Sequence, residues 1–198
     1  YRLSIARYRQ IKEEQKRNAT MLATDYFQKG LTAEKNGERL QAIGFYFQAF
    51  RSIEKYLGEV IRVTIDNKDV LLTNEIYASI QHQLDKINVQ VAPAEISLNR
   101  RVNQSAQTVL AKASYKDLHK PVTSLPLRAG FEKGAGDIFP TYQTDDMGQA
   151  KILMTKISSK DVEQTVGVSV DIDALSGTSN SPIYSLVART LNVPRAKV

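Results

Sequence analysis

The sequence predicts an α+β protein with a helical first half and an antiparallel β-sandwich in the second half. Up to Ile87, apolar residues recur every three to four positions, as they do on a helix. After Asn88 they recur at every second position, as on strands with one buried face. Turn signals such as Ala92-Pro93 and the glycine-rich stretch 134–137 then divide the second half into short segments. Several short strands at this spacing are typical of a sandwich.

The first helix is predicted from an apolar stripe that comprises Leu22, Tyr26, Gly30 and Ala33, extended upstream by Tyr8 and Ile11. No residue between 12 and 18 is apolar, so the helix is either solvated there or breaks near Asn18. Asn36 and Gly37 form the predicted turn after it, because glycine tolerates the left-handed backbone that ends many helices.

The second helix is apolar on two faces and must therefore contact two partners. One face comprises Leu40, Ile43, Phe47 and Phe50, and the other comprises Ala42, Tyr46, Ala49 and Ile53. We expect the first helix against one face and a third helix against the other. That third helix is predicted from Leu72, Ile76, Ile80, Leu84 and Ile87, with 66–69 as the loop before it.

The strands of the second half are predicted from runs with alternating apolar residues. These runs contain Val89 and Val91; Ile96 and Leu98; Val109 to Tyr115; Leu127 to Phe131; Ala150 to Met154; and Val166 to Ile172. Further turns are predicted at 119–121, 145–148 and 158–161. The predicted limits are a helical region at 1–88, a sandwich at 89–175, and a tail at 176–198 that forms a short helix or a final strand.

Composition excludes several classes of function. The chain has 198 residues, a net charge of +6 and no cysteine, so disulfides, thiolate metal sites and a cysteine nucleophile are excluded. No run approaches the roughly 20 apolar residues that cross a bilayer. The positive charge is expected to attract the chain weakly to anionic surfaces.

No constellation of residues indicates catalysis. His82 and His119 are the only histidines, and neither is spaced to meet a nucleophile or a carboxylate. The acidic pairs at 145–146 and at Asp171 and Asp173 are interpreted as turn residues, with a calcium site as the alternative. The stretch 134–137 lacks the Lys-Ser/Thr ending of a phosphate loop. We therefore predict a protein that is not an enzyme, with no cofactor, no metal and no small-molecule substrate.

Residues 20–56 resemble a tetratricopeptide repeat. The residues that match are Tyr26 and Gly30 in the first helix, Gly37 at the turn, and Ala42, Tyr46 and Ala49 in the second helix. The chain departs from the family pattern at Lys29, Ala33 and Glu54, and it holds a single copy, whereas such repeats normally stack. The resemblance implies a three-helix tetratricopeptide-like bundle before the sandwich.

Residues 108–172 resemble the bacterial immunoglobulin-like domains of invasin and intimin. The similarity lies in 120–131, in 134–136 and in 144–150, where Asp145 is expected to bond the backbone of a hairpin turn and Gly148 to take a positive φ. The combination of both resemblances is similar to envelope lipoproteins of Gram-negative bacteria. It implies an extracytoplasmic protein, periplasmic or associated with the outer membrane.

Two sets of residues are candidates for partner binding. The first is the basic set Arg7, Arg9 and Arg17 near the start of the first helix, for which an ordinary solvated helix face is the alternative. The second is Phe27, Leu31 and Lys35, which correspond to the peptide-binding groove of tetratricopeptide proteins. For these residues the alternative is packing against a neighbouring element of this chain.

Three functions compete at this stage. The leading hypothesis is a structural protein of the bacterial cell envelope that scaffolds a protein assembly, with a protein partner or with copies of itself. The alternative is a module that binds a cell-wall polymer or nucleic acid through the basic helix, and so recognises an anionic surface. The third is a domain of an enzyme whose catalytic part lies outside this sequence.

Overall fold

The computed structural model describes residues 4–96, 107–157, 163–177 and 182–198, and it is a mixed α+β structure. Its helices are α1 (Ile5–Lys35), α2 (Arg39–Ser52), α3 (Leu72–Asp85), α4 (Ile172–Ser176) and α5 (Pro182–Thr190), with a 3₁₀ turn at Glu54–Tyr56. Its strands are β1 (Arg62–Ile65), β2 (Lys68–Leu71), β3 (Ile87–Ala92), β4 (Gln107–Tyr115), β5 (Pro126–Lys133), β6 (Gly136–Ile138), β7 (Thr141–Gln143), β8 (Gln149–Ile157), β9 (Thr165–Val170) and β10 (Arg195–Lys197).

The chain folds into two compact units. The first comprises Tyr1–Gln83 and Leu175–Leu191, and the second comprises Leu84–Ala174 and Asn192–Val198. The C-terminal tail therefore contains both a helix, α5, and a strand, β10, and these belong to different units.

In the first unit, α1 is one continuous helix, so of the two alternatives for residues 12–18 the solvated helix is confirmed and a break near Asn18 does not occur. A pair of backbone hydrogen bonds closes its C-terminus: Gly37 N donates to Glu34 O, and Glu38 N donates to Ala33 O. Gly37 takes a φ of 82°, which confirms the predicted role of glycine at this turn. The chain then reverses into α2, which begins at Arg39.

Both predicted faces of α2 are buried except at Leu40, which is half-buried. One of its partners is α1. Side chains of α2, α3 and α5, with Leu191 directly after α5, also meet around a small apolar gap. The helices contribute Phe47 and Phe50, Tyr77 and Ile80, and Tyr184 and Val187. The ring of Phe50 lies edge-on to that of Tyr184, with centroids 6.1 Å apart. The second partner of α2 is therefore a pair of helices rather than α3 alone.

Two predictions for the stretch before α3 are wrong. Residues 62–71 form an antiparallel hairpin, β1 and β2, in place of the predicted loop at 66–69. Asp66 and Asn67 are its two central turn residues, with φ values of 49° and 61°, which suits the tight turns that match the twist of a hairpin. In addition, α3 ends at Asp85, so Ile87 belongs to β3 and not to the helix.

The second unit contains two antiparallel four-stranded sheets. Their strand orders are β3-β4-β8-β6 and β10-β9-β5-β7. The predicted period of two is confirmed on the central strands, whose alternate residues are buried: Val109, Ala111 and Ala113 on β4, and Val166, Val168 and Val170 on β9. The Tyr142 hydroxyl on β7 joins the sheets, since it accepts from Leu153 N (3.2 Å) and donates to Leu153 O (3.5 Å).

Both sheets are open, so the α+β class is established while the closed immunoglobulin-like sandwich stays a prediction. The predicted turn at 145–148 is confirmed, but the strands on either side of it, β7 and β8, belong to different sheets, so the turn does not close a hairpin. Asp145 Oδ1 accepts from Met147 N at 2.9 Å and from Gln149 N at 2.8 Å, and Gly148 has a φ of 69°. The predicted turn at 158–161 and the predicted strand residue Leu98 lie outside the described residues.

Candidate interaction surfaces

Helices α1 and α2 meet where a glycine faces a tyrosine. A Cβ added to Gly30 would lie 2.6 Å from Tyr46 Cδ1, closer than van der Waals contact allows. Phe27 of α1 packs on the same ring, with centroids 5.4 Å apart. Ala33, Ala42 and Ala49 are also buried, so small residues let the two backbones approach while the aromatic rings fill the remaining space.

The hydroxyl of Tyr46 is paired inside this contact. It donates to Glu34 Oε2 at 3.0 Å. Burial, and then the neighbouring Glu34 carboxylate, hold the pKa of Tyr46 far above the ordinary value for tyrosine. Tyr46 is therefore a neutral hydrogen-bond donor that fixes the register of α2 against the end of α1, and it has no role as an acid or base near neutral pH.

The structure divides the second candidate set, Phe27, Leu31 and Lys35. Phe27 is only 3% exposed because it packs against Tyr46, whereas Leu31 is half-buried and Lys35 is exposed. The stripe predicted for the first helix is correspondingly wrong at Leu22, which is 49% exposed, while Ala23 and Phe27 take the buried positions. The adjacent aromatic residues 26 and 27 each belong to a different apolar stripe, and the two stripes are less than a third of a turn apart on the helix. Which stripe is buried depends on where the partner helix packs.

A shallow groove of about 330 Å³ does lie between α1 and α2, but other residues line it. They include Asp25, Lys29 and Thr32 from α1, Asn36 directly after it, and Phe45 from α2. Lys29 Nζ lies 2.7 Å from Asp25 Oδ2, and this hydrogen bond raises the lysine pKa. Polar side chains thus line part of the groove, and two of them, Asp25 and Lys29, pair with each other. Sequence reasoning missed it because it follows from which face of α1 meets α2.

The N-terminal part of α1 extends well past α2. At roughly 1.5 Å per residue, the 31 residues of α1 span about 46 Å and the 14 residues of α2 about 21 Å. Ser4 caps the helix by accepting from Arg7 N at 3.2 Å. We call residues 5–15 the projecting segment. At its end, Lys16 Nζ lies 2.6 Å from Glu59 Oε2.

Large apolar side chains are exposed on this part of α1. Ile5 is 73% exposed and Tyr8 is 53% exposed. At about 100° per residue, they share one side of the helix with Leu22 and with the half-buried residues Ile11 and Ala19. We call this set, Ile5, Tyr8, Ile11, Ala19 and Leu22, the apolar stripe. The sequence analysis assigned three of these residues, Tyr8, Ile11 and Leu22, to the predicted stripe of the first helix.

The basic set Arg7, Arg9 and Arg17 is exposed, on the side of α1 away from the apolar stripe. The three arginines are spread over an arc of about 160°, and Glu13 and Glu14 fall within that arc. The Arg7 guanidinium also donates to Gln10 Oε1 at 3.1 Å. Cations and anions are therefore mixed on this face, which weakens the field that the arginines could present to a polyanion.

The other titratable candidates lie apart. His82 is exposed on α3, and His119 is exposed in the loop after β4 with a φ of 52°. Asp171 and Asp173 both pair with Arg128 Nη2, at 3.2 Å and 2.9 Å, and Asp171 also accepts from Ala174 N. Among the residues that the structure describes, no three His, Cys, Asp or Glu side chains are grouped as metal ligands.

Comparison of the chain with protein-family models, with curated proteins and with solved structures gives no match. The tetratricopeptide and immunoglobulin resemblances therefore stay predictions. Across the described ranges, no helix combines the length and the apolar character needed to traverse a bilayer.

Proposed function

We propose that this chain is a non-enzymatic interaction protein that scaffolds a protein assembly in the bacterial cell envelope, with the projecting segment of α1 as its docking element. The observation that carries the proposal is the apolar stripe, which α2 leaves exposed. An isolated helical segment of about 11 residues is marginal in water, because most helix stability comes from packing of an apolar face. A second helix laid along the stripe would supply that packing.

The proposal includes the finer fold. A tetratricopeptide-like identity for α1 and α2 is supported by the Gly30–Tyr46 approach and by the glycine-closed turn at Gly37. An immunoglobulin-like identity for the second unit is supported by the 145–148 turn and by Tyr142, whose hydroxyl bonds to the opposite sheet. Both elements are typical of proteins that present surfaces to partners, and the envelope location rests on the same resemblance.

Capture from a Gram-negative envelope extract tests the proposal. The full chain is immobilised, bound proteins are quantified, and self-association of the free chain is measured by sedimentation. Tyr8→Glu places a charge in the apolar stripe and should weaken capture or self-association at least tenfold, about 1.4 kcal/mol. Gln10→Glu is the matched control, since it adds the same charge to an exposed position off the stripe.

A wild-type chain that stays monomeric and captures nothing would contradict the proposal. So would equal capture by the wild type and by Tyr8→Glu. A loss of capture in both variants would mean that added charge, and not the stripe, is responsible.

One observation favours the second candidate, a module that binds a cell-wall polymer or nucleic acid. Within the described part of the chain, the guanidinium groups of Arg9 and Arg17 have no hydrogen-bond or ion-pair partner. If they hold a polyanion, retention should fall steeply as salt rises, and reversal of both arginines to Glu should abolish it. Capture that is insensitive to salt but lost in Tyr8→Glu selects the protein partner instead.

A further inference from the structure

The outer face of the sheet β10-β9-β5-β7 carries two aligned rows of residues. In the first row, Arg195 of β10 lies opposite Ser169 of β9, and Ser169 lies opposite Arg128 of β5. Because neighbouring strands are about 4.8 Å apart, the two arginine Cα atoms lie roughly 10 Å apart with the serine between them. Arg128 and Ser169 alternate with buried neighbours, so their side chains point away from the core, and Arg195 is itself exposed.

The second row has no side chain at its centre. Gly167 of β9 lies directly opposite Gly130 of β5. Together with the arginine row they form a depression of about 480 Å³, within the volume range of small-molecule sites. Above Gly130 there is open space, since an added Cβ would have no atom within 4 Å. The floor of the depression is therefore bare backbone at Gly130, which a ligand ring could approach, whereas Gly167 is covered by the Glu132 side chain.

The charges around this depression are mixed. The side chain of Glu132 lies over Gly167, so that a Cβ added to Gly167 would lie 2.5 Å from Glu132 Oε1. Glu132 forms an ion pair with Lys197 there. On the other side, Arg128 is held by Asp171 and Asp173. The guanidinium of Arg195 has no such partner among the described residues. One free cation thus stands beside paired donors and acceptors, which suits a ligand with one negative charge and several hydroxyl groups.

We propose that this depression, which we call the glycine-floored site, binds an acidic sugar: a polyhydroxylated ring that carries a carboxylate or a phosphate. The ring lies on Gly130, the Ser169 hydroxyl bonds a ring hydroxyl, and Arg195 pairs with the anionic group. This site lies in the second unit and is independent of the docking role assigned to α1. It adds a ligand that the sequence analysis did not predict.

A titration of the ¹⁵N-labelled full chain followed by NMR tests the site. The probes are glucuronate, glucose 6-phosphate, glucose and inorganic phosphate, each to about 10 mM, which would saturate a site with a Kd near 1 mM. Glucuronate or glucose 6-phosphate should move the amide signals of Gly130, Gly167 and Ser169, and the stronger of the two identifies the anion. Glucose and inorganic phosphate, which each lack one half of the ligand, should bind at least tenfold more weakly.

Variants identify the residues responsible. Arg195→Ala should weaken binding about tenfold, because it removes a charge-assisted hydrogen bond. Gly130→Val should abolish binding by filling the floor, and it should still fold, since the position is open and valine favours strands. Lys151→Ala, exposed on the other sheet, is the control and should bind as the wild type does.

Three results would overturn the proposal. The first is no shift of these signals with either acidic sugar. The second is a response to inorganic phosphate as strong as that to the sugars, which would mean that the floor contributes nothing. The third is unchanged binding in a folded Arg195→Ala chain, shown to be folded by its melting temperature.

Discussion

At the scale of single residues, the contact between α1 and α2 depends on the absence of a side chain at Gly30. Glycine in a helix interior normally lowers stability by about 1 kcal/mol relative to alanine. Here Tyr46 occupies the place that a Cβ would take, and its hydroxyl is further held by Glu34. Gly30 is therefore a packing residue, and the helix propensity lost there is offset by the buried ring.

Two helical glycines give opposite predictions. Gly30→Ala should destabilise the chain by about 1–3 kcal/mol, because the new methyl group overpacks against Tyr46. Gly44→Ala should stabilise it by about 0.5–1 kcal/mol, because Gly44 lies in α2 with no atom within 4 Å of an added Cβ. Chemical denaturation measures both. Equal effects of the two substitutions would show that Gly30 does not face Tyr46.

Residue-level sequence reasoning succeeded where chemistry restricts the choice. Gly30, Ala42 and Ala49 could be assigned to the helix contact because small residues at helical spacing have few other uses. It failed at Phe27, because adjacent aromatic residues serve equally well on either of two stripes. The stripe that is buried depends on the position of α2, which the local sequence does not encode.

At the scale of elements, the turn between β7 and β8, which connects the two sheets of the second unit, is organised by one carboxylate. Asp145 accepts from two backbone amides in the turn, while its neighbour Asp146 is exposed. Gly148 supplies the left-handed residue, and its N–H donates to Asp145 O at 2.9 Å. This turn could be predicted from sequence because its signal is local.

Substitution of the two adjacent aspartates should separate turn chemistry from surface charge. Asp145→Ala should lower the free energy of unfolding by about 1–2 kcal/mol, since two backbone donors lose a charged acceptor. Asp146→Ala removes the same charge and should change stability by less than about 0.5 kcal/mol. Urea denaturation provides the comparison, and the assignment fails if Asp146→Ala is as damaging as Asp145→Ala.

The hairpin β1–β2 shows the limit of periodicity at this scale. Val63 and Ile65 alternate on β1, and Asp66-Asn67 is a recognisable two-residue turn. The signal was therefore present, but it is only ten residues long and lies within a stretch of helical period. The division into a purely helical first half and a purely stranded second half is wrong to that extent.

At the scale of the whole molecule, the two compact units are not contiguous in sequence. Helix α5 belongs to the first unit, where Tyr77 of α3 donates to Thr190 O across 113 positions. Such a long-range pairing has no local sequence signal. The sequence therefore predicted a helix or a strand in the tail, but not the unit to which either belongs. The two candidate surfaces, the apolar stripe and the glycine-floored site, also emerge only from tertiary packing.

The central claim is that the projecting segment of α1 is stabilised by docking to a partner, and hydrogen exchange measured by mass spectrometry tests it most directly. In the dilute chain, amides 9–15 should exchange far faster than amides 23–35, which pack on α2. Adding envelope extract, or raising the chain concentration, should slow exchange at 9–15 and leave 23–35 unchanged. Amides 9–15 that are as protected as 23–35 in the dilute chain, or that stay unprotected under every condition, would contradict the claim.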